Sequence, residues 1–196
     1  MIHEPSKIET NNFEYTSTLS ELSLITNDNI NIAIYQRGFS KNIETYLNRL
    51  LSKGFSPINV SINVNELDVI FDDHFKSLNE ESNEGYVFLK NNVKRLLTQF
   101  SKICNSPNLK IFFGIVDTDM CRRFHTDMYE LRMLCTYKGQ GTMWLTDDNI
   151  NYKALNNYEG NEEIVLNTDD IKQLNSADIA ILKGALYPYS KIGGVV

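Results

Sequence analysis

The sequence lacks the features that mark several large classes of protein. No apolar run in its 196 residues approaches the ~20 residues that a membrane-spanning helix requires. The first residues show no basic start followed by an apolar stretch, so a secretion signal is not expected. Cysteine is scarce, with three residues and no Cys-x-x-Cys pair. A disulfide scaffold is therefore not expected, and the predicted location is the reducing cytoplasm.

Positive charge is also scarce, with 19 Lys and Arg against 25 Asp and Glu and a net charge of -6. Surfaces that bind nucleic acids or anionic membranes depend on clustered Lys and Arg, so neither partner is expected. The chain contains no glycine-rich phosphate loop, no dinucleotide-binding glycine pattern and no Gly-x-Ser-x-Gly motif. Its hydrophobic content of 42% is that of an ordinary folded domain.

Residues 1–28 are polar and aperiodic, which predicts a loosely ordered N-terminal arm followed by one domain over residues 29–196. Apolar residues spaced by three and four predict helices, and strict alternation predicts strands. The predicted helices lie between Ser40 and Gly54, at 66–78 and at Gly85–Cys104. The predicted strands cover 29–37, 109–117, 129–137, 142–145, 164–166 and 179–183. Residues 58–64 also alternate and are predicted as a strand or a loop edge.

The spacing changes from helical to alternating at Pro107, so the chain is expected to be strand-rich after residue 107. Helices first and strands later predict an α+β fold, with helices packed on a cupin-like, double-stranded β-helix (jelly-roll) core. The strands after Pro107 are expected to form a curled antiparallel sheet, with the Gly85–Cys104 helix on its outside.

The segment Cys121–Leu145 contains the pair His125-Thr-Asp127, which is the candidate metal site. Residues two apart on an extended chain point to the same side, so one imidazole and one carboxylate can bind the same ion. This combination suits Fe(II) or another divalent metal, as in sites with two histidines and one carboxylate. Chance matches to so short a pattern are common, and the alternative is that His125 and Asp127 bond to each other and brace a turn.

If the extended geometry continues to Tyr137, one face of the strand carries the candidate ligands above an apolar pocket for a small molecule. That face would include His125, Asp127, Tyr129, Met133 and Tyr137. Cys121 and Cys135 offer a rival, zinc-binding arrangement with His125, although the spacing supports it poorly.

Three basic residues complete the candidate substrate or co-substrate pocket. Arg132 could bind a carboxylate co-substrate, but the alternation favours an exposed position on the outer face. Arg123 shares the parity of His125, and an exposed position is its alternative. Lys183 is predicted either as a strand-end surface residue or as an anion-binding group.

Several blocks of this sequence resemble a bacterial family filed as domain of unknown function 1826. They are Cys121-Arg-Arg-Phe-His-Thr-Asp127, Leu131-Arg-Met-Leu-Cys-Thr-Tyr137, Gly139-Gln-Gly-Thr-Met-Trp-Leu145 and Asp178-Ile-Ala-Ile-Leu-Lys-Gly184, with a weaker match at Ile30–Arg37. The family name implies kinship and states no activity.

The first of these blocks is also similar to the metal-binding motif of Fe(II)/2-oxoglutarate oxygenases of the double-stranded β-helix fold. That similarity implies 2-oxoglutarate as a co-substrate by analogy only, and a second histidine late in the chain. In the resembled family, a His-Arg-Ser-Pro segment follows the position reached here by Gly193–Val196. We therefore expect the third metal ligand to be missing from this chain and the chain to be truncated at its C-terminus.

Two functions from different classes remain open at this point. The first is a metal-dependent oxygenase with His125 and Asp127 as ligands. The second is a non-enzymatic β-barrel module that binds a metal or a small ligand. No pattern in the sequence fixes an oligomeric state.

Overall fold

The computed structural model describes residues 12–80, 82–117, 122–188 and 193–196. It has the predicted α+β composition. The helices are α1 (Lys41–Lys53), α2 (Leu67–Phe75), α3 (Glu84–Ile103), α4 (Tyr152–Asn156) and α5 (Asn161–Ile164). The strands are β1 (Phe13–Thr16), β2 (Ile32–Tyr35), β3 (Ile58–Asn63), β4 (Asn108–Phe113), β5 (Leu131–Cys135), β6 (Met143–Trp144), β7 (Lys172–Gln173) and β8 (Ile179–Lys183).

A four-stranded sheet in the order β1-β2-β8-β5 forms the first layer. β1 pairs with β2 in parallel, whereas β8 pairs antiparallel with both β2 and β5. The register places Ile181 of β8 opposite Ala33 of β2 and Met133 of β5. Because side chains alternate along a strand, these three residues share one face, which we call the helix face.

The helix face packs against α3 and against a 3-10 helix at Ser20–Thr26. Leu22 and Ile25 of that helix are fully buried there, and β1 is a strand of the sheet. The expectation of a loose arm is therefore wrong for residues 12–28; residues 1–11 lie outside the described residues. The sequence misled because most positions in this segment are polar, and its few apolar side chains follow a 3-10 turn.

The opposite face of the sheet, which we call the inner face, is covered by a second layer. It contains Ile32, Ile34, Ala180 and Leu182, which pack with the buried Trp144. The second layer consists of the β6–β7 pair, the C-terminal residues and the segment around Thr126.

Val195 bridges both Thr126 and Leu145, so it lies between the segment around Thr126 and the end of β6. The described residues do not close into a barrel, and the cupin-like core is not confirmed.

The remaining strands belong to a helical half. β3 and β4 form a separate antiparallel pair that packs with α1, α2 and α3 around aromatic residues such as Phe71, Phe75 and Phe113. The expectation that β4 joins the later strands is wrong, because its alternating apolar face is buried in this aromatic cluster. α3 contributes residues to this cluster and to the helix face of the sheet.

The predicted strand at 164–166 is also wrong, since α5 ends at Ile164 and only Val165 forms a bridge, to Ile150. A short apolar run does not distinguish a strand from a helix end. Among the described residues, no helix is long and apolar enough to cross a membrane.

Candidate functional site

His125 lies at the edge of the second layer, where the chain pairs with the C-terminal residues. The His125 N–H donates to the carbonyl of Val196 at 2.9 Å, and the Val196 N–H donates back to the carbonyl of His125 at 3.0 Å. Two residues that exchange both backbone hydrogen bonds in this way place their side chains on the same face of the paired segments. Val196 packs against the inner-face cluster, so His125 is directed to the inner side of the second layer.

The His125 ring has a defined hydrogen-bonding arrangement. Its Nδ1 lies 3.0 Å from the carbonyl oxygen of Arg123. A carbonyl oxygen can only accept, so Nδ1 carries the proton and, in the neutral ring, Nε2 carries the lone pair. Nε2 faces the Asp127 carboxylate, with 3.5 Å between Nε2 and Oδ1. Metal-binding histidines commonly donate their second N–H to a carbonyl in this way.

Asp127 is held by Arg132 at the start of β5. One guanidinium nitrogen, Nη1, lies 2.9 Å from Oδ1 and 2.8 Å from Oδ2 of the carboxylate. The Asp127 side chain is 12% exposed and that of Arg132 is 42% exposed. Arg132 lies opposite Leu182 in the sheet, which places it on the inner face. The outer position favoured by the alternation is wrong.

The predicted alternation fails because the chain bends between Asp127 and Leu131. The carbonyls of Asp127, Tyr129 and Glu130 accept hydrogen bonds from the N–H groups of residues 184–186. A Cβ atom at Gly184 would lie 1.9 Å from the Tyr129 carbonyl oxygen, so this close approach requires glycine. The bend shifts the register, so His125 and Asp127 do not share a face with Met133 and Tyr137.

The other predicted pocket residues are therefore separated from the His125–Asp127 pair. Met133 packs into the cluster on the helix face. Tyr137 stacks on Phe39 with ring centroids 5.6 Å apart. Tyr129 is 47% exposed within the bend, and the Arg123 guanidinium lies over the Tyr158 ring, 5.0 Å from its centroid.

Lys183 occupies neither of its predicted positions. It is 1% exposed, and its Nζ donates to the carbonyl of Asn27 at 2.7 Å. The ammonium also lies 4.8 Å from the centroid of the Tyr187 ring. Burial lowers the pKa of Lys183. Lys183 therefore links β8 to the end of the N-terminal 3-10 helix through a hydrogen bond. The alternation of side chains along β8 places Lys183 on the same face of the sheet as Ile181.

Sequence reasoning missed a polar network between α3 and the edge of the sheet. Arg37 donates to the Ala177 carbonyl at 2.8 Å and to Asn92 at 3.0 Å, and the Tyr137 hydroxyl donates to the same Asn92 oxygen at 2.8 Å. Arg37 also lies 3.5 Å from the Cys135 sulfur. Burial raises the pKa values of the Tyr137 hydroxyl and the Cys135 thiol, so Cys135 is held as a neutral thiol.

The rival zinc site is not assembled by the described residues. Cys135 belongs to the network behind the sheet, and Cys121 lies outside the described residues. Within the described ranges, no three His, Cys, Asp or Glu side chains are grouped so that they could hold a metal ion. His125 Nε2 and the Asp127 carboxylate are the two predicted donor groups that the described residues bring together.

Two surface clefts of about 500 Å³ each lie apart from this pair. One is lined by the exposed side of α3, including Lys94, Arg95 and Lys102. The other is lined by residues such as Phe55 and His74. Neither includes His125, Asp127 or Arg132.

A family model described as "Protein of unknown function (DUF1826)" matches residues 16–196. No curated protein and no solved structure matches the chain.

Proposed function

The chain belongs to the DUF1826 family, and we propose that His125 and Asp127 form a divalent metal site in an oxygenase-like protein. Fe(II) is the metal that suits this donor pair best, because an imidazole and a hard carboxylate together leave coordination positions open. When bound, Fe(II) supplies redox chemistry with oxygen. In this proposal, His125 and Asp127 would hold the ion, and the Arg123 carbonyl would orient the imidazole.

The observation that carries the proposal is the hydrogen bond from His125 Nδ1–H to the Arg123 carbonyl. It fixes the orientation of the ring so that Nε2 faces the Asp127 carboxylate, 3.5 Å away. Two donors that bind one ion at ~2.0–2.2 Å each lie about 3 Å apart when they occupy adjacent positions. A small movement of either side chain therefore brings these two donor groups to a metal-binding separation.

The two-layered arrangement of strands is consistent with the finer proposal of a cupin-like, double-stranded β-helix core. In such a core the metal ligands lie near the open end between two facing sheets. Here Asp127 of the second layer contacts Arg132 of the first. The pairing of His125 with Val196 means that any residue joined to Val196 starts beside the site. The family resemblance implies that a histidine follows this position in related proteins.

The test is an equilibrium titration of the chain with Mn(II), in which electron paramagnetic resonance measures the concentration of the free ion. We expect weak but saturable binding, because affinity rises with the number of protein ligands. The variants His125→Ala and Asp127→Asn should lose this binding. His74→Ala is the matched control, since His74 contacts the Ser56 carbonyl in the helical half. If all four proteins bind alike, the proposed site is wrong.

A second titration tests the third ligand. A chain extended after Val196 by His-Arg-Ser-Pro should bind Mn(II) more tightly than the present chain, and His125→Ala in the extended chain should remove the gain. Equal binding by the two chain lengths would contradict the assignment of the third ligand to this region. 2-Oxoglutarate as co-substrate is tested by oxygen consumption of the Fe(II)-loaded extended chain with and without that compound.

A non-enzymatic module is the second candidate, and the ion pair of Arg132 with Asp127 favours it. This pair occupies both carboxylate oxygens and braces the bend between the layers without a metal. Saturable metal binding without oxygen consumption would support the module, whereas consumption stimulated by 2-oxoglutarate would support the enzyme. For both candidate functions we propose a cytoplasmic location, which is consistent with the free thiols of Cys104 and Cys135.

A further inference from the structure

We propose that Arg132 competes with the metal for Asp127 and has to leave the carboxylate before a metal ion can bind. This inference rests on the proposed metal site and adds its regulation. The guanidinium would act as a built-in counter-ion that holds the site closed until a divalent cation displaces it.

The competition follows from the oxygen atom that the two cations would share. Oδ1 of Asp127 faces His125 Nε2 at 3.5 Å and accepts from Arg132 Nη1 at 2.9 Å. A metal ion bound by His125 and Asp127 through Oδ1 would therefore lie close to Nη1. A divalent cation and a guanidinium repel each other at such a separation, and the low exposure of Asp127 limits screening by water.

The second carboxylate oxygen of Asp127 also accepts a hydrogen bond from Arg132. The same Nη1 lies 2.8 Å from Oδ2, so one nitrogen spans both oxygens instead of the paired, parallel contact that a guanidinium and a carboxylate can form. Binding of the metal through either oxygen therefore places the ion on an oxygen that already accepts a hydrogen bond from Arg132.

Arg132 can leave without disturbing the fold. Its side chain is 42% exposed, and Nε and Nη2 have no partner among the described residues. The backbone of Arg132 is fixed by the pairing of β5 with Leu182 of β8. Rotation about the side-chain bonds is therefore enough to move the guanidinium into water.

The proposal predicts that loss of the guanidinium strengthens metal binding. Arg132→Gln removes the competing charge, and we expect the Mn(II) association constant to rise by about two- to fivefold, the size typical of a partly exposed charged pair. Arg132→Met is a second charge-removing variant that keeps an unbranched stem. Arg95→Gln is the control for net charge, because Arg95 is exposed on α3, outside the site.

The experiment is the Mn(II) titration of the present chain, the two Arg132 variants, Arg95→Gln and the double variant Arg132→Gln/His125→Ala. Thermal unfolding checks that each protein is folded. Tighter binding by both Arg132 variants, lost in the double variant and absent in Arg95→Gln, supports the proposal. Equal or weaker binding by the Arg132 variants, with intact binding by the parent chain, overturns the competition and leaves the metal site standing. If neither the parent nor the Arg132 variants bind more than the double variant, both proposals fail.

Discussion

Replacement of Leu22 by alanine should strongly destabilise the protein, although Leu22 lies in a segment whose sequence predicts a loose arm. The side chain is fully buried, in a cluster with Ile181 of β8 and Leu96 of α3. Loss of a buried leucine side chain to alanine costs about 2–5 kcal/mol of unfolding free energy, because burial is lost and a cavity remains. We expect a value in this range.

The matched control is Leu24→Ala in the same 3-10 helix. Leu24 is 37% exposed, so the same change should cost less than about 1 kcal/mol. Urea-induced unfolding followed by circular dichroism measures both variants. Equal effects of the two substitutions, or no effect of Leu22→Ala, would show that residues 12–28 are not packed on the sheet.

Three further substitutions test the packing of the helical half. Tyr46→Phe should leave stability unchanged or raise it by up to about 1 kcal/mol in urea unfolding, because the buried Tyr46 hydroxyl has no partner among the described residues. Burial raises the pKa of Tyr46 from 10.0 to about 12. As the pH rises, the unfolded chain therefore loses the Tyr46 proton before the folded chain does, and the free energy of unfolding falls between those two pH values. Tyr46→Phe has no proton to lose at this position, so its free energy of unfolding should fall less over the same pH range. Tyr137→Phe should cost about 1 kcal/mol in the same assay, since it removes the 2.8 Å hydrogen bond to Asn92, and no loss would contradict that bond. Gly85→Ala should lower the melting temperature, because the new Cβ would lie 2.2 Å from Tyr46 Cγ, whereas Gly38→Ala has no atom within 4 Å of the new Cβ and should have little effect.

Periodicity predicted those elements whose packing matches one clear repeat. The helix predicted at Gly85–Cys104 is observed at Glu84–Ile103, and the strand at Ile179–Lys183 has the predicted bounds. α3 buries one continuous stripe of apolar residues, whereas β8 is buried on both faces of the sheet and is marked by a continuous apolar run. The N-terminal segment carries only a few buried residues within a polar sequence, and no repeat identifies them.

The candidate site was harder to predict because its geometry depends on contacts between distant parts of the chain. The spacing of His125 and Asp127 correctly placed their side chains close together; their role as metal ligands stays a prediction. The position of Arg132 depends on the bend before β5, and this bend is fixed by hydrogen bonds to residues 184–186. Alternation along one strand contains no information about such contacts.

The most direct test of the proposed metal site is a long-range proton–nitrogen NMR spectrum of the histidine rings, recorded with and without Zn(II). The chain has three histidines, so His125→Ala assigns the relevant signals. We predict that His125 has its proton on Nδ1 and that Zn(II) shifts its Nε2 signal while the His74 signals stay in place. A proton on Nε2 of the neutral His125 ring, or His125 signals that do not respond to Zn(II), would contradict the account.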